Sequence, residues 1–405
     1  MIISRHPSRR ELLGLSGAVF AAANLPRWAS ASGSRDPRLV VIVLRGALDG
    51  LSAVGPLGDP DYADLHRELA LQRDGAQSAL PLDGFFGLNP AMKALARLYA
   101  EKRALVVHAT ATNYRERSHF DGQDVLESGM PTPGRTESGW LNRAIRALPV
   151  AERARGGALA VGYVPPLVLR GQAPVLGWAP SELGPPSDDF VGRLASLYDH
   201  GDKDLARALR AGFETDRMIN RDGMNALKAG GDVVEQMKKS ATGAARLMSA
   251  DDGPRIAALT FDGWDTHVAE GGATGRLAQL LGGLDEAIAA FETGLGPAWN
   301  QTVIIAITEF GRTARVNGDS GCDHGTASVA FLAGGAVGGG RVIADWPGLK
   351  AANLYENRDL KPTCDLRSVL KGVLAEHLGL SASVLANEVF PNSIGVGPLK
   401  NLVVT

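Results

Sequence analysis

Short apolar runs alternate with helical patterns along most of the chain. Runs that are rich in β-branched residues and apolar throughout are typical of strands buried on both faces of a parallel sheet. The predicted strands are Leu39–Arg45, Ala104–Ala109, Leu159–Gly162, Ile256–Phe261, Thr302–Thr308 and Ser328–Ala333. Apolar residues recur with the helical period over Pro90–Lys102, Leu277–Leu295 and Leu366–Leu378. The alternation predicts a doubly wound α/β fold, with helices on both faces of a mostly parallel sheet.

The range 188–248 departs from this alternation. It is polar, has a helical pattern and shows little β character. We interpret it as a helical insertion between two strands. The length of 405 residues fits one large α/β domain or two smaller ones. The pattern favours one domain over residues 32–405 that contains the insertion.

The first 31 residues resemble a twin-arginine export signal. Arg9 and Arg10 precede a weakly apolar stretch from Leu12 to Leu25, and an Ala-Ser-Ala sequence ends at Ala31. This stretch of about 14 residues is shorter than the roughly 20 helical residues that span a bilayer. We expect cleavage after Ala31, the twin-arginine export machinery as a partner, and a periplasmic or secreted mature protein with no integral membrane span. The alternative is an ordinary amphipathic N-terminal helix.

Charge and cysteine content narrow the function classes. The formal net charge is -2, and lysines and arginines are scattered rather than clustered, which argues against a nucleic-acid partner. Cys322 and Cys364 are too few for a disulfide scaffold and match no metal-ligand spacing. One disulfide bridge and two free thiols both remain open from the sequence.

Charged side chains follow four of the predicted strands, where ligands of open α/β sheets gather. Three of the eight histidines in the chain, His119, His267 and His324, stand there beside carboxylates. Taken singly, each such residue could be a turn residue, a helix cap or half of a surface ion pair. Together they offer imidazole and carboxylate ligands for Zn²⁺ or another divalent metal, with arginines and a helix N-terminus for a tetrahedral anion.

Five motifs carry a family resemblance: "RGALDGLS", "RSHFDGQDVLESG", "GWDTH", "TEFGRT" and "DHGTASVAFLAGG". They resemble the secreted bacterial family known as domain of unknown function 1501, and they spread over nearly all of the mature chain. That family is grouped with the alkaline phosphatase and sulfatase superfamily, whose members use a metal-assisted nucleophile on phosphate or sulfate esters. The resemblance implies an alkaline-phosphatase-like three-layer α/β/α sandwich.

The resemblance also suggests roles for individual residues. Ser118 would be the nucleophile, and Arg312 would hold an anionic group. The metal ligands would be Asp49, Asp265, His267, Glu309 and His324. Further candidates are Arg45, His119, Asp121 and Asp323. The metal would be Zn, Ca, Mg or Mn.

Two departures from the superfamily pattern leave the metal content open. Asp265 and His267 are closer in sequence than the corresponding phosphatase pair. Phe310 stands where a second ligand is expected, and phenylalanine cannot coordinate a metal. One metal, a rearranged site and no metal are all compatible with this pattern.

The function expected from these observations is an exported metal-dependent hydrolase that acts on phosphate or sulfate esters, with an anionic ester or polymer as substrate. The alternative is a non-catalytic periplasmic binding or structural protein derived from the same fold. A third class, the metallophosphoesterases with an Asp-x-His motif, also needs a later Asn-His pair, which this chain lacks.

Overall fold

All six predicted strands are present in the computed structural model, and their ends differ from the predicted ends by at most two residues. The structure describes residues 35–134, 136–150, 157–180, 188–201 and 231–404, together with residues 206 and 209. The export signal predicted over residues 1–31 lies outside these residues.

The central sheet has nine strands in the described part of the chain. They are β1 (Arg38–Arg45), β5 (Ala104–Ala111), β6 (Ala158–Val161), β7 (Val175–Trp178), β8 (Ile256–Asp262), β9 (Thr302–Thr308), β10 (Ser328–Ala333), β11 (Val342–Ile343) and β12 (Cys364–Asp365). Their order is β11-β5-β10-β9-β1-β8-β6-β7, and β12 also pairs with β5. Only β10 runs antiparallel to its neighbours among these strands. A small antiparallel sheet holds β2 (Val54–Gly55), β3 (Leu80–Pro81) and β4 (Gly87–Leu88).

Helices cover both faces of the central sheet. They are α1 (Gly50–Ala53), α2 (Tyr62–His66), α3 (Lys93–Ala100), α4 (His119–Ser128), α5 (Trp140–Ala147), α6 (Asp188–Gly201), α7 (Val233–Ser249), α8 (Arg276–Leu295), α9 (Leu366–Leu378) and α10 (Ala382–Val384). Single turns of 3₁₀ or π helix occur at Arg67–Leu69, Leu167–Leu169, Gly296–Gln301, Ala351–Asn353 and Leu385–Val389. The three predicted long helices correspond to α3, α8 and α9.

Strand β1 shows why the sheet needs two helical layers. Side chains alternate between the faces of a strand, and every residue from Leu39 to Leu44 is buried. Val40, Ile42 and Leu44 pack into the core beneath α3, α7 and α8. The intervening residues pack into a second core beneath α5 and α9. The prediction of a three-layer α/β/α sandwich with a mostly parallel sheet is confirmed.

The predicted helical insertion is described in part. Helices α6 and α7 lie between β7 and β8, in the range expected for it. Residues 202–205, 207, 208 and 210–230 lie outside the described residues, so the extent of the insertion stays a prediction.

Both cysteines are free thiols. Cys322 is buried and Cys364 is half-buried, which decides between the two alternatives that the sequence leaves open. Among the described residues, no helix is both long and apolar enough to cross a membrane.

The register of three neighbouring strands brings their carboxyl ends together. Leu44 of β1 pairs with Thr308 of β9, and Arg45 pairs with Asp262 of β8. The chain leaves β1 through Gly46, which has a φ of 121°, and a Cβ atom there would lie 2.5 Å from the backbone nitrogen of Asp265. Only glycine allows this close approach. The loops after β1, β8 and β9 therefore meet at one edge of the sheet.

Candidate metal centre

Three imidazole rings meet one carboxylate at the carboxyl edge of the sheet. His119 begins α4, Asp265 and His267 follow β8, and His324 lies between β9 and β10. The Nε2 atoms of His119, His267 and His324 lie 3.3, 3.1 and 3.2 Å from Oδ1 of Asp265. The Nε2 atoms of His267 and His324 are 3.0 Å apart. Four potential ligand atoms thus converge from three loops.

Each imidazole is held through its other nitrogen. Nδ1 of His119 donates to Oε1 of Glu309 over 2.9 Å, and Nδ1 of His324 donates to the carbonyl of Arg117 over 2.9 Å. Nδ1 of His267 lies 3.3 Å from Oδ1 of Asp323. These contacts leave Nε2 of each ring directed at Asp265. The hydrogen bond to Glu309 raises the pKa of His119, so a cation that binds there displaces a proton from that ring. Metal-binding histidines are held in this way, with the distal N–H donated to a carboxylate or a carbonyl.

The converging atoms fit a divalent cation. Burial lowers the pKa of His324, so its ring stays neutral near pH 7 and its Nε2 lone pair faces a carboxylate oxygen. Nε2 of His119 is buried and has no hydrogen-bond partner. The guanidinium of Arg312 lies 2.6 Å from Oδ1 of Asp265 and 3.4 Å from Nε2 of His267, and a divalent cation would add a second positive charge among these atoms. One ligand atom each from His119, Asp265 and His324 lies within 4.8 Å of the other two, and a tetrahedral zinc site with nitrogen ligands has ligand–ligand edges of about 3.3–3.4 Å. Nε2 of His267 contacts Asp265 and His324 from one side.

Asp265 is charged at neutral pH. Burial favours its neutral form, but the positive charge of Arg312 and its hydrogen bond of 2.6 Å outweigh burial and hold the pKa of Asp265 below its ordinary value. The side chain of Asp265 is 43% exposed, and the three imidazoles are also partly exposed. The centre is therefore open to solvent on one side.

Arg312 differs from its predicted role. The sequence predicts that it binds an anionic group, but its side chain is fully buried. Besides Asp265, it donates to the carbonyl oxygens of Gly46, Ala47, Trp264 and Cys322, and its Nη1 lies 3.4 Å from Nε2 of His267. A buried guanidinium must satisfy its N–H groups inside the protein. Arg312 accordingly fixes the loops of the centre and leaves anion binding to other groups.

Glu309 also differs from its predicted role as a ligand. It is fully buried, and its Oε1 accepts from His119, from the side chain of Gln123 and from the backbone N–H of Gly46. Burial opposes its ionisation, but these hydrogen bonds keep its pKa below the ordinary value. The next residue, Phe310, stacks on His119 with ring centroids 5.1 Å apart. Glu309 and Phe310 together set the orientation of His119.

The other predicted site residues have contacts of their own. Asp323 contacts the centre through its hydrogen bond with His267. Asp49 is buried in a separate cluster with His66 and Cys322. Arg45 pairs with Glu127, and Asp121 meets the hydroxyl of Tyr114 at 3.4 Å.

Ser118 is the N-cap residue of α4 and directly precedes His119. Its side chain makes no capping hydrogen bond. The predicted nucleophile is thus adjacent in sequence to an imidazole of the centre, and its hydroxyl is not used to cap the helix.

Sequence reasoning missed the role of Arg117. Its backbone has a φ of 59°, in the left-handed region that arginine rarely adopts. Ion pairs with Asp359 and Glu356 hold its side chain, while its carbonyl fixes the ring of His324. No sequence signal marks a carbonyl for this role, since every residue carries one.

The fold and the centre define an α/β protein with an open histidine–carboxylate site at the carboxyl edge of its sheet. The chain belongs to the family described as protein of unknown function DUF1501, whose model matches residues 104–389. Four of the five resembling motifs lie inside that range, and "RGALDGLS" lies before it. No curated protein matches the chain.

Solved structures with a similar fold have low sequence identity. Ps i-CgsB, crystallised with k-i-k-neocarrahexaose, is 13% identical, with 90% of this chain and 77% of that chain covered and a TM-score of 0.43. A protein in the alkaline phosphatase superfamily from Vibrio parahaemolyticus is 12% identical, with 81% and 69% covered and a TM-score of 0.35. The PsFucS1 sulfatase from Pseudoalteromonas sp. is 12% identical, with 83% and 68% covered and a TM-score of 0.33. With such scores, none of these similarities decides what the chain does.

Proposed function

We propose that this protein is an exported metal-dependent hydrolase of phosphate or sulfate esters. The observation that carries the proposal is the convergence of three Nε2 atoms on Oδ1 of Asp265, with each Nδ1 held by another acceptor. His119, His267, His324 and Asp265 would hold the cation. Glu309 and Asp323 would orient two of the imidazoles.

A divalent cation in an open site stabilises the charge that develops on a transferred phosphoryl or sulfuryl group. The chain supplies the other requirements. Helix α4 directs its unpaired N–H groups toward its start, where the oxygens of a tetrahedral anion are stabilised. The exposed side chains of Phe120 and Val268, each next to a histidine of the centre, offer apolar contact for the organic part of an ester.

Ser118 is the proposed attacking group. Its oxygen would form the new bond to phosphorus or sulfur while the ester oxygen leaves with the serine proton. Water would then hydrolyse the serine ester and restore the hydroxyl. The Ser118 side chain makes no capping hydrogen bond and interacts instead with the hydroxyl of Tyr114, so its oxygen is not committed to the helix, which supports this role.

Export is the part of the proposal that rests on the sequence alone. The paired arginines, the short apolar stretch and the Ala-Ser-Ala sequence support delivery by the twin-arginine route. This route carries proteins that are already folded, so the metal would be acquired before or after export without unfolding.

The test is a panel of aryl phosphate, aryl phosphodiester and aryl sulfate substrates, assayed with Mg²⁺, Mn²⁺, Ca²⁺ or Zn²⁺. We expect turnover by the wild type with at least one pair of ester and metal, loss of turnover in Ser118→Ala, and partial retention in Ser118→Thr. Because the Ser118 side chain makes no capping bond, Ser118→Ala should unfold at nearly the wild-type temperature.

Ser381→Ala is the matched control. Ser381 is the N-cap of α10 and its side chain does cap that helix, so this variant should lose about 1 kcal/mol of stability and keep full turnover. Wild-type turnover in Ser118→Ala would remove the nucleophile assignment. A metal-loaded wild type that turns over no ester would favour a non-catalytic binding protein.

A further inference from the structure

A second group of metal-ligating side chains is completely buried. Asp49 is the N-cap of α1, His66 ends α2, and Glu270 and Cys322 lie in the loops after β8 and β9. Each is at most 1% exposed. One donor atom each from Asp49, His66 and Cys322 lies within 4.8 Å of the other two. None of the four residues coordinates the open centre.

His66 presents a lone pair to this cluster. Its Nδ1 donates to the carbonyl of Ala314 over 3.1 Å. Its Nε2 then faces Oδ2 of Asp49 at 3.0 Å, with the hydroxyl of Ser52 at 2.8 Å. A carboxylate oxygen cannot donate a hydrogen bond. Either the ring carries a second proton, or a cation lies between the two side chains.

Glu270 is the observation that separates these alternatives. Neither of its carboxyl oxygens has a hydrogen-bond partner, although both are buried. Its backbone is fixed by hydrogen bonds to Ser320 and Leu277, and its carboxyl group interacts electrostatically with Asp49 and His66. An Asp49–His66 ion pair alone leaves Glu270 only the Thr266 hydroxyl and the Cys322 thiol as neighbouring donors, which is little compensation for a fully buried carboxyl group.

We propose that Asp49, His66, Glu270 and Cys322 bind a structural zinc ion, separate from the open centre. A thiolate, an imidazole and two carboxylates are a donor set that suits zinc, and four protein ligands without solvent access make a closed structural site. Zinc–sulfur bonds of about 2.3 Å and zinc–nitrogen bonds of about 2.0–2.1 Å require the donor atoms to lie close together, as those of Asp49, His66 and Cys322 do here. Glu270 would complete the set from the loop after β8. Zinc would displace the proton of the Cys322 thiol and the second proton of His66, because a metal binds the thiolate and the neutral imidazole.

The zinc ion would hold the loops that carry the open centre. Glu270 lies in the same loop as Asp265 and His267, and Cys322 directly precedes Asp323 and His324. Arg312 joins the two sites, since it donates to the carbonyl of Cys322 and to the side chain of Asp265. The buried ion would preorganise the open centre, whatever reaction that centre performs.

Cobalt replacement tests this proposal without any ester. Co²⁺ bound to a thiolate gives a sulfur-to-metal charge-transfer absorption in the near ultraviolet, and Co²⁺ bound only to nitrogen and oxygen does not. The metal-free full chain, titrated with Co²⁺ under reducing conditions, should develop this absorption and release protons. Cys364→Ser is the decisive variant, because Cys322 is then the only cysteine of the chain, and it should keep the full absorption.

Further variants separate the two sites. Cys322→Ser and His66→Gln should each hold one zinc ion fewer per chain than the wild type. His324→Ala should keep the charge-transfer absorption. No absorption in cobalt-loaded Cys364→Ser would overturn the proposal, even where Cys322→Ser fails to fold. The cluster would then be an Asp49–His66 ion pair beside a neutral Glu270. A failed ester assay does not affect this outcome.

Discussion

At the scale of single residues, the partner of Nδ1 in each imidazole defines the open centre. His119, His267 and His324 use three different acceptors for Nδ1, namely Glu309, Asp323 and the carbonyl of Arg117. The result is the same in all three rings, because each Nε2 is left to face Asp265. The groups that accept from Nδ1 therefore contribute to metal binding, because they orient the ligand atoms.

Replacing Glu309 tests this orienting role. Glu309→Gln keeps the size of the side chain but removes the charge that holds the Nδ1 proton of His119. We expect metal affinity at the open centre to fall by about 10- to 100-fold, with little change in the fold. Competition titration against a chelator of known affinity gives the dissociation constant.

Glu127→Gln serves as the control for this substitution. Glu127 is equally buried, but it pairs with Arg45 and the backbone of Val168 and contacts no imidazole. Its metal affinity should match that of the wild type. If both variants bind metal equally well, Glu309 does not orient a ligand.

The sequence identifies the residues of the open centre better than their roles. The positions of His119, Asp265, His267 and His324 after predicted strands are sufficient to group them. The sequence does not tell a ligand from the residue that orients it, because the two differ only in which atom faces inward. For this reason the sequence predicts Glu309 as a metal ligand and Arg312 as a substrate contact, whereas the structure buries both behind the centre.

At the scale of elements, long periodic segments are predictable and short ones are not. The apolar runs of β1, β8 and β9 identify the strands whose ends build the centre. Strands β2, β3 and β4 have two residues each, and α2 has five, which is too short for a periodic signal. His66 lies at the end of α2 and joins the buried cluster only through tertiary packing, so no sequence pattern selects it.

At the scale of the whole molecule, the open centre and the buried cluster of potential metal ligands lie on loops at the same edge of one sandwich. The α/β/α layers bury both faces of the sheet, so its carboxyl edge is where charged side chains can gather. Resemblance to a family indicates this architecture. The division into an open and a closed cluster depends on side-chain burial, which no motif encodes.

The proposed export also concerns the whole chain. Changing Arg9 and Arg10 together to Lys should keep the protein in the cytoplasm at full length, while the wild type should be found in the periplasm, shortened by about the length of the signal. Cell fractionation and mass determination of the mature N-terminus give the answer. Normal export and cleavage of the double variant would contradict the twin-arginine assignment.

The measurement that tests the central claim most directly is the metal content of protein purified without chelator. His324→Ala should contain one metal ion fewer per chain than the wild type, and it should melt at a lower temperature, because ligation contributes folding free energy. His377→Gln, which changes a buried histidine that contacts the backbone of Arg38, should keep the wild-type metal content. If His324→Ala and Asp265→Asn both retain the full wild-type metal content, the convergent histidines are ordinary hydrogen-bonding residues and the open centre does not bind a metal.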